Sequence, residues 1–454
     1  MMGRQASNQR QLFYAFDLER VVPADHLLRG IDAVLDLSDL RSYLSPFYSH
    51  TGRPSIDPVL MMRMLIVGYA FGIRSERRLC EEVRLNLAYR WFCGLGLEDT
   101  VPDHSTFSKN RHGRFRDSGL FRYVFESVLA RCMKEGLVGG EGFAIDASLI
   151  KADANRQRGV TGSDAAILSD PKVATRPVRE YLAALDAAVP SGTQPKNISL
   201  TDPASRWTSA AGGPAFYAYS ANYLIDLDVG IILDSETTTA RRTEEVETTK
   251  TMIERTEERF GLKPDRLAAD TAYGSAPTLA WLVEEKAIEP HIPVWDKSAG
   301  KAGLFPRSAF TFDKENNDYV CPGGKRLHTT GRITSDNTIL YRSRTPDCAG
   351  CVLKPTCCPN TPGRKIARSV HEEARDYARS LRDTPAYRQS RRDRKKVEMS
   401  FAHLKRILKL DRLRLRGMSG AGDELLLAAT AMNLRKMATL IWKPPKGDRI
   451  SVPA

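Results

Sequence analysis

Three acids in this 454-residue chain stand in settings that favour metal-dependent phosphate chemistry. Asp146 and Asp270 each follow a short apolar run that predicts a buried strand. Glu398 is the only acid between Asp393 and Asp411, inside a run rich in Lys and Arg. Carboxylates are the ligands that Mg²⁺ or Mn²⁺ prefers, and two such ions can activate water and stabilise the leaving oxygen in phosphodiester hydrolysis. We therefore take these acids as candidate ligands of two ions, with Asp146 bridging them and each other acid completing one shell.

The surroundings of Glu398 are strongly basic. Residues 375–416 contain 15 Lys and Arg against 5 Asp and Glu, which accounts for most of the formal net charge of +13. Such an excess indicates a polyanionic partner such as nucleic acid. The alternative is a solvated cationic helix with one charge pair, which is the usual meaning of a charge run. The spacing of the residues around Glu398 argues for the first interpretation.

Four apolar residues in this run recur at steps of four, three and four and predict an amphipathic helix. They are Val397, Phe401, Leu404 and Leu408. At about 100° per residue, four polar residues share a neighbouring face of that helix. These are Arg391, Arg394, Glu398 and Lys405.

The pattern Arg-x3-Glu-x6-Lys resembles the signature on the last catalytic helix of DDE transposases from bacterial insertion sequences. Asp270, followed by Thr-Ala-Tyr-Gly, is similar to the family segment that carries its second aspartate. The family has a tyrosine three residues before the arginine, where this chain has Arg391, and the nearest tyrosine is Tyr387. This departure leaves the tyrosine's role unassigned.

The resemblance covers nearly the whole chain and implies an RNase H-like core in which Asp146, Asp270 and Glu398 converge. It implies that water attack frees a 3′-hydroxyl at the element's end and that this hydroxyl then attacks target DNA. Arg394, Lys405 and Arg391 are expected to contact DNA.

Four other acids compete for the catalytic role. Asp226, Asp228 and Asp234 lie in or beside two β-rich runs, 215–239, that predict a hairpin, and we interpret each as a turn or edge residue. Asp265 follows a proline and precedes its strand, so we discount it.

The first 135 residues predict short helices with basic faces. Asp57 before Pro58, Ser75, and then Asp103 or Ser105 have the character of N-caps. The third helix, predicted over the sequence SKNRHGRFR, carries four cations: Lys109, Arg111, Arg114 and Arg116. A helix-turn-helix-like DNA reader and a small bundle with basic faces fit the composition equally well. Because the segment order resembles the N-terminal domain of the same transposases, we favour binding of element ends.

Five cysteines cluster late in the chain. Cys321, Cys348, Cys351 and Cys357 have the spacing C-x26-C-x2-C-x5-C, and Cys358 competes with Cys357 for the fourth place. Four thiolates can close a structural Zn²⁺ site without an open position for catalysis. The alternative is a set of reduced cysteines with no metal. Related transposases carry a similar Cys-Pro-x-Gly segment followed by C-x2-C, which supports a zinc-ribbon-like insertion.

The expected fold is α+β and multidomain. We predict a helical DNA-binding domain at 1–135 and a mixed-sheet α/β catalytic core at 140–295 and 371–442. A cysteine-rich insertion at 296–370 interrupts the core, and a flexible tail follows at 443–454. The apolar fraction of 42% is typical of a globular protein, and no signal peptide or membrane-spanning helix is predicted, so we expect a cytoplasmic protein.

The leading functional hypothesis is a transposase that binds double-stranded DNA, both element ends and target. Pairing of two ends implies a homo-oligomer on DNA, and no membrane partner is expected. One alternative is a catalytically silent DNA-binding repressor derived from a transposase, against which the intact acids count. The other is an RNase H-like nuclease that cuts without joining.

Overall fold

The computed structural model describes residues 16–49, 51, 55–170, 172, 174–187, 195–209, 212–294 and 303–443. The tail expected at 443–454 lies outside the described residues apart from Lys443. The chain divides into two compact units. Unit 1 comprises the chain up to Gly139, Ala147–Gly261 and the part from Val397 onward, and unit 2 comprises Gly140–Asp146 and Leu262–Lys396.

Unit 1 begins with eight described helices. Their bounds are α1 Leu18–Val21, α2 Leu27–Val34, α3 Leu40–Leu44, α4 Pro58–Ala70, α5 Glu76–Leu85, α6 Leu87–Phe92, α7 His104–His112 and α8 Leu120–Lys134. Three predicted N-caps are confirmed, because each side chain accepts a hydrogen bond from the first turn of its helix. Asp57 accepts from Val59 N at 3.0 Å, Ser75 from Arg78 N at 3.4 Å, and Asp103 from Ser105 N at 2.9 Å.

The strands of unit 1 form around a long hairpin. Strand β5, Ala215–Asp226, pairs antiparallel with β6, Ile232–Thr239, and with β4, Arg206–Ser209, so the predicted hairpin is confirmed. The second half of β1, Gly142–Lys151, lies on the other side of β5. A small ribbon pairs β2, Gly159–Thr161, with β3, Asn197–Ser199.

Four helices complete unit 1: α9 Arg176–Ala187, α10 Arg242–Phe260, α16 Lys395–Arg406, which starts in unit 2, and α17 Gly417–Leu440. Helix α17 packs against α2, α4, α8 and β6, and it forms the centre of the core. Its Asn433 side chain bonds both backbone groups of Ile232, at 2.9 and 2.8 Å. The final helix predicted from Leu425 is therefore confirmed, although it starts eight residues earlier.

Unit 2 contains a parallel arrangement. The first half of β1 pairs with β7, Arg266–Ala268, and β7 pairs with β8, Glu289–His291, both parallel. Helix α11, Ala276–Ala280, packs on α14, Glu372–Ser380, while α14 and α15, Pro385–Asp393, pack on β8. His291 Nδ1 lies 2.7 Å from Ser390 Oγ and ties α15 to the strand.

The cysteine-rich segment forms a sheet of its own within unit 2. Five antiparallel strands follow the order β13-β12-β11-β10-β9. Their bounds are β9 Thr311–Asp313, β10 Asp318–Val320, β11 Arg326–Ile333, β12 Thr338–Ser343 and β13 Lys365–Ser369, with α12 Thr345–Ala349 and α13 Lys354–Cys357 between the last two. A separate core supports this sheet: Phe310, Tyr319, Leu327, Tyr341 and Ile366.

The chain is therefore of mixed α/β class, with a helical N-terminal region and a mixed sheet. Two local predictions are wrong. Strand β1 does not end at Asp146 but continues to Lys151, because it pairs with β7 before that residue and lies beside β5 after it. The single helix expected around Glu398 is two helices that meet at Arg394, and Leu408 lies beyond the second, although it is fully buried.

Candidate active site

Asp146 lies within β1, and Asp270 lies two residues past the end of its parallel neighbour β7, Arg266–Ala268. The register of this pair aligns Ala144 with Ala268, and each acid follows two residues later along its chain segment. Both side chains are half-buried. The pairing of β1 with β7 thus brings side by side the segments that carry two of the three predicted catalytic acids.

Local contacts orient both carboxylates. Asp146 Oδ2 lies 3.3 Å from Arg394 Nη1, at the point where α15 and α16 meet. Asp270 Oδ1 accepts a hydrogen bond from Ala272 N at 2.7 Å and so caps a short 3₁₀ turn, Thr271–Tyr273. The two acids are hard oxygen donors, the ligand type that Mg²⁺ or Mn²⁺ prefers, and Arg394 lies beside one of them.

Lys405, the lysine of the Arg-x3-Glu-x6-Lys pattern, also contacts β1. Its Nζ donates to Ser148 Oγ at 2.7 Å, and burial lowers the pKa of this amine while Asp411 opposes that shift. Ser148 is not among the site residues predicted from the sequence. Because it lies two residues after Asp146 in the same strand, alternation of side chains in a strand places both on one face and could have indicated it.

Glu398 lies in the first turn of α16 and is exposed. It belongs to unit 1, whereas Asp146 and Asp270 belong to unit 2. In the described part of the chain, no three or more His, Cys, Asp or Glu side chains are grouped so as to hold a metal ion. Arg391 is exposed on α15.

The competing acids have structural roles. Asp226 is fully buried, where it accepts hydrogen bonds from Asp228 N at 2.9 Å and Gly139 N at 3.1 Å. Asp234 is 1% exposed and is paired with Arg122 and Arg255. These contacts confirm Asp226 as a turn residue and place Asp234 in an ion-pair network between β6, α8 and α10.

Two family models match the chain. A transposase domain (DUF772) matches residues 16–113, and a transposase DDE domain matches residues 320–438. The chain belongs to the DDE transposases of insertion elements. The DDE match includes Glu398, its flanking cations and the five late cysteines, and it does not reach Asp146 or Asp270. No curated protein and no solved structure gives a significant match.

Of the cations predicted on the third helix, Lys109 and Arg111 lie on α7, whereas Arg114 and Arg116 follow its last residue, His112, so the helix is shorter than predicted. Lys109 is exposed. Arg114 is half-buried, with its guanidinium 4.7 Å from the ring centroid of Tyr48. Arg111 is 5% exposed and forms an ion pair with Glu76, so its guanidinium joins α7 to α5.

The five late cysteines of the transposase line one cavity, together with Leu327 and Leu353. A Cβ atom at Gly323 would lie at ordinary van der Waals distance, 3.7 Å, from both Cys321 Sγ and Cys351 Sγ, so these two thiols lie close to the same glycine. Cys348 Sγ lies 3.1 Å from Ser343 Oγ. Burial raises the pKa of Cys357 to about 11.

No helix in the described ranges of the transposase is both long and apolar enough to cross a membrane.

Proposed function

We propose that this transposase binds the ends of a mobile DNA element and catalyses metal-dependent strand cleavage and strand transfer. The observation that supports the proposal is the parallel pairing of β1 with β7, since Asp146 and Asp270 each follow the aligned residues Ala144 and Ala268 by two positions. Carboxylates brought close together repel each other unless cations compensate, and Arg394 supplies one positive charge to Asp146. A divalent ion bound by both acids would remove the remaining repulsion.

Asp146 and Asp270 hold Mg²⁺ or Mn²⁺ in this proposal. Glu398 is the third carboxylate on the strength of the Arg-x3-Glu-x6-Lys pattern within the matched DDE domain. Two bound ions would supply an activated water and a stabilised leaving oxygen. The protein itself contributes an RNase H-like arrangement of strands that fixes the acids.

The basic residues around the acids are the proposed contacts to DNA phosphates. Arg394 balances the charge of Asp146, at 3.3 Å, and can turn to a phosphate when the carboxylate is otherwise satisfied. Lys405 holds Ser148 on β1 at 2.7 Å, and both it and Arg391 are proposed phosphate contacts.

The helical region is proposed to recognise the element's ends. Lys109 on helix α7 and Arg114, two residues after its last residue, are the proposed contacts, while the ion pair of Arg111 with Glu76 stabilises the helix packing. Transposition joins two ends to a target, so we propose that the chain works as a homo-oligomer on double-stranded DNA.

The test compares Mg²⁺-dependent cleavage and joining of a labelled element end by the wild type, Asp146→Asn, Asp270→Asn and Glu398→Gln. Asp265→Asn is the matched control, because Asp265 is exposed just before β7 and takes no part in the proposed site. Gel-shift binding is measured in parallel. We expect the three site variants to bind the DNA without cutting it and the control to cut normally.

Other outcomes identify the alternatives. Wild-type protein that binds ends but never cuts them indicates a silent repressor. Cleavage without joining indicates a nuclease of the RNase H-like kind. Cleavage that survives in Asp146→Asn or Asp270→Asn places the acids elsewhere.

A second proposal concerns the cysteine cavity, where we infer a structural Zn²⁺ bound by Cys321, Cys348, Cys351 and either Cys357 or Cys358. The support is the five soft sulfur donors around one small cavity. Elemental analysis of the purified protein is expected to give one zinc per chain, which Cys351→Ser should lose. Cys80→Ala, in helix α5, should keep the zinc, and wild-type protein without zinc would contradict the proposal.

A further inference from the structure

The segment that follows α16, residues 408–416, alternates apolar and cationic side chains. Three of its leucines have 0% exposure: Leu408, Leu410 and Leu413. Four of its residues are exposed cations: Lys409, Arg412, Arg414 and Arg416. The segment lies outside any named helix or strand. We call residues 408–416 the cationic ledge, because the leucines hold it in the core while its charges face solvent.

The ledge is fixed through its main chain. At its middle, Lys151 N donates to Asp411 O at 3.2 Å and Leu413 N donates to Lys151 O at 2.7 Å, which adds it to the end of β1. At its far end, Glu424 Oε1 accepts hydrogen bonds from Arg414 N, at 2.6 Å, and from Leu415 N. Such anchoring lowers the conformational entropy that a ligand must remove on binding.

A close approach joins the ledge to the helical region of unit 1. Gly72, after α4, has φ +66°, and a Cβ there would lie 2.8 Å from Ile407 O and 3.3 Å from Lys409 Cγ. Lys409 itself has φ +52°, a backbone conformation that a non-glycine residue adopts only under constraint. The close contact between the end of α4 and the cationic ledge therefore depends on the missing side chain of Gly72 and on the left-handed backbone of Lys409.

Between these segments runs a groove of about 580 Å³. Five cations line it against two acids: Arg74, Arg78, Lys409, Arg412 and Arg414 against Asp153 and Asp411. Some of these charges are already engaged. Glu424 pairs with Arg74, and Asp153 lies 3.2 Å from Arg412 and 2.9 Å from Arg416.

Lys409 and Arg414 outnumber the remaining lining acid, Asp411, so the groove keeps a net positive charge. Among the described residues, neither the Lys409 nor the Arg414 side chain has a hydrogen-bond or ion-pair partner. Arg78 pairs with Glu82 at 3.1 Å on an exposed helix face, an interaction of little energy that a stronger acceptor can replace.

We propose that this groove binds backbone phosphates of duplex DNA through Lys409 and Arg414, with Arg78 as a third contact. One wall lies within residues 16–113 and the other within residues 320–438, so both matched transposase domains contribute to it. The inference rests on the proposed function, since it assigns the path of the DNA on unit 1. It adds a phosphate site to the helix α7 and Arg-x3-Glu-x6-Lys contacts.

The test measures binding of the full chain to a fluorescein-labelled duplex of about 30 base pairs and arbitrary sequence, in EDTA, between about 50 and 200 mM KCl. The variant is Lys409→Gln with Arg414→Gln. Its matched control is Lys134→Gln with Lys172→Gln, which removes the same charge from exposed positions of unit 1 outside the groove. Thermal unfolding confirms that each variant is folded.

Because each phosphate contact contributes about 0.9 to the slope of log affinity against log salt, the groove variant should lose about 1.8 from that slope and about tenfold in affinity at low salt. The control should stay within about twofold of the wild type. A groove variant that matches the control in slope and affinity overturns the inference. Wild-type protein that binds no duplex at all overturns the proposed function as well, so the two failures are distinguishable.

Discussion

Two sets of acids lie in or beside strands, and their surroundings differ. Asp234 lies in β6, whereas Asp146 lies in β1 and Asp270 follows β7. Asp234 is 1% exposed, and the guanidinium groups of Arg122 and Arg255 offset the increase in its carboxyl pKa that burial causes. Asp146 and Asp270 are half-buried on segments that lie side by side, and Asp146 also has Arg394 Nη1 at 3.3 Å. An enclosed carboxylate between two guanidinium groups stabilises the fold while those partners are intact, whereas a half-buried carboxylate stays accessible to a metal ion. Burial therefore separates the structural acid from the candidate catalytic ones.

The largest expected effect is on the cleavage rate, after substitution of Asp146 or Asp270. Asp146→Asn or Asp270→Asn should lower the cleavage rate on the order of a thousandfold, comparable with the removal of a key charge-stabilising group in other active sites. The free energy of unfolding without metal should change by no more than about 1 kcal/mol, because both acids are half-buried and the contact of Asp146 with Arg394 is partly exposed. Single-turnover cleavage and urea unfolding measure the two quantities. A large loss of stability with either substitution would show that these acids resemble Asp234 instead.

Asp234→Asn should give the opposite pattern. The substitution removes one of the two acids that pair with both Arg122 and Arg255, while Glu236 remains, so the free energy of unfolding should fall by about 2 kcal/mol. The cleavage rate per folded molecule should change little. Urea unfolding provides the measurement, and Asp265→Asn, at an exposed position, provides the control. A stability change under about 1 kcal/mol would remove the distinction drawn between the two kinds of acid.

Asp202 offers a third test because it is buried without a cationic partner in hydrogen-bond contact. Burial raises its pKa to about 6, although hydrogen bonds from Tyr219 Oη at 2.5 Å and Gly417 N at 3.1 Å oppose the shift. The folded state keeps this proton where the unfolded carboxyl has lost it, so the contribution of Asp202 to stability decreases from about pH 4 to 6 and is constant above. Asp202→Asn removes that dependence.

The difference between wild type and Asp202→Asn in the free energy of unfolding should therefore change by at most about 3 kcal/mol between pH 4 and pH 7.5, in favour of the variant at the higher pH. Thermal unfolding across this range measures it. If the difference is the same at both pH values, the carboxyl titrates normally in the folded protein.

Much of this architecture follows from local chemistry. The N-caps Asp57, Ser75 and Asp103 are short polar side chains directly before helical patterns, and each caps as expected. The hairpin of β5 and β6 follows from two β-rich runs around a turn that Asp226 stabilises. Such signals depend on neighbours within a few residues, which a sequence displays directly.

The remaining features depend on long-range contacts. The sequence predicts that a strand ends at Asp146, but β1 continues to Lys151 because its second half lies beside β5. The sequence predicts Arg111 as a DNA contact on a basic helix. In the fold it is buried and pairs with Glu76, which is 35 residues away in the chain. Lys409 and Arg414 sit in one charge run with Arg394, and only the burial of the intervening leucines distinguishes the ledge from the helix. Tertiary pairing decides which charges reach solvent.

The smallest expected effect concerns Arg394, whose Nη1 lies 3.3 Å from Asp146 Oδ2. A guanidinium beside a metal-binding carboxylate competes with the ion for the same negative charge. Both side chains are partly exposed, so the competition is worth no more than about 1 kcal/mol. Arg394→Gln should therefore lower the Mg²⁺ concentration for half-maximal thermal stabilisation by up to about fivefold, since 1.4 kcal/mol corresponds to tenfold.

Arg394→Gln should at the same time weaken cleavage at saturating Mg²⁺ if this arginine also contacts a DNA phosphate. Thermal stabilisation by Mg²⁺ without DNA isolates the first effect, and Asp146→Asn with Arg394→Gln is the control, in which the response to Mg²⁺ should be lost. A higher Mg²⁺ requirement in Arg394→Gln would mean that the arginine orients Asp146 for the ion. An unchanged Mg²⁺ requirement would mean that the Arg394–Asp146 contact at 3.3 Å has no influence on metal binding. The charge of Asp146 would then not depend on a neighbouring arginine, in contrast to the charge of Asp234.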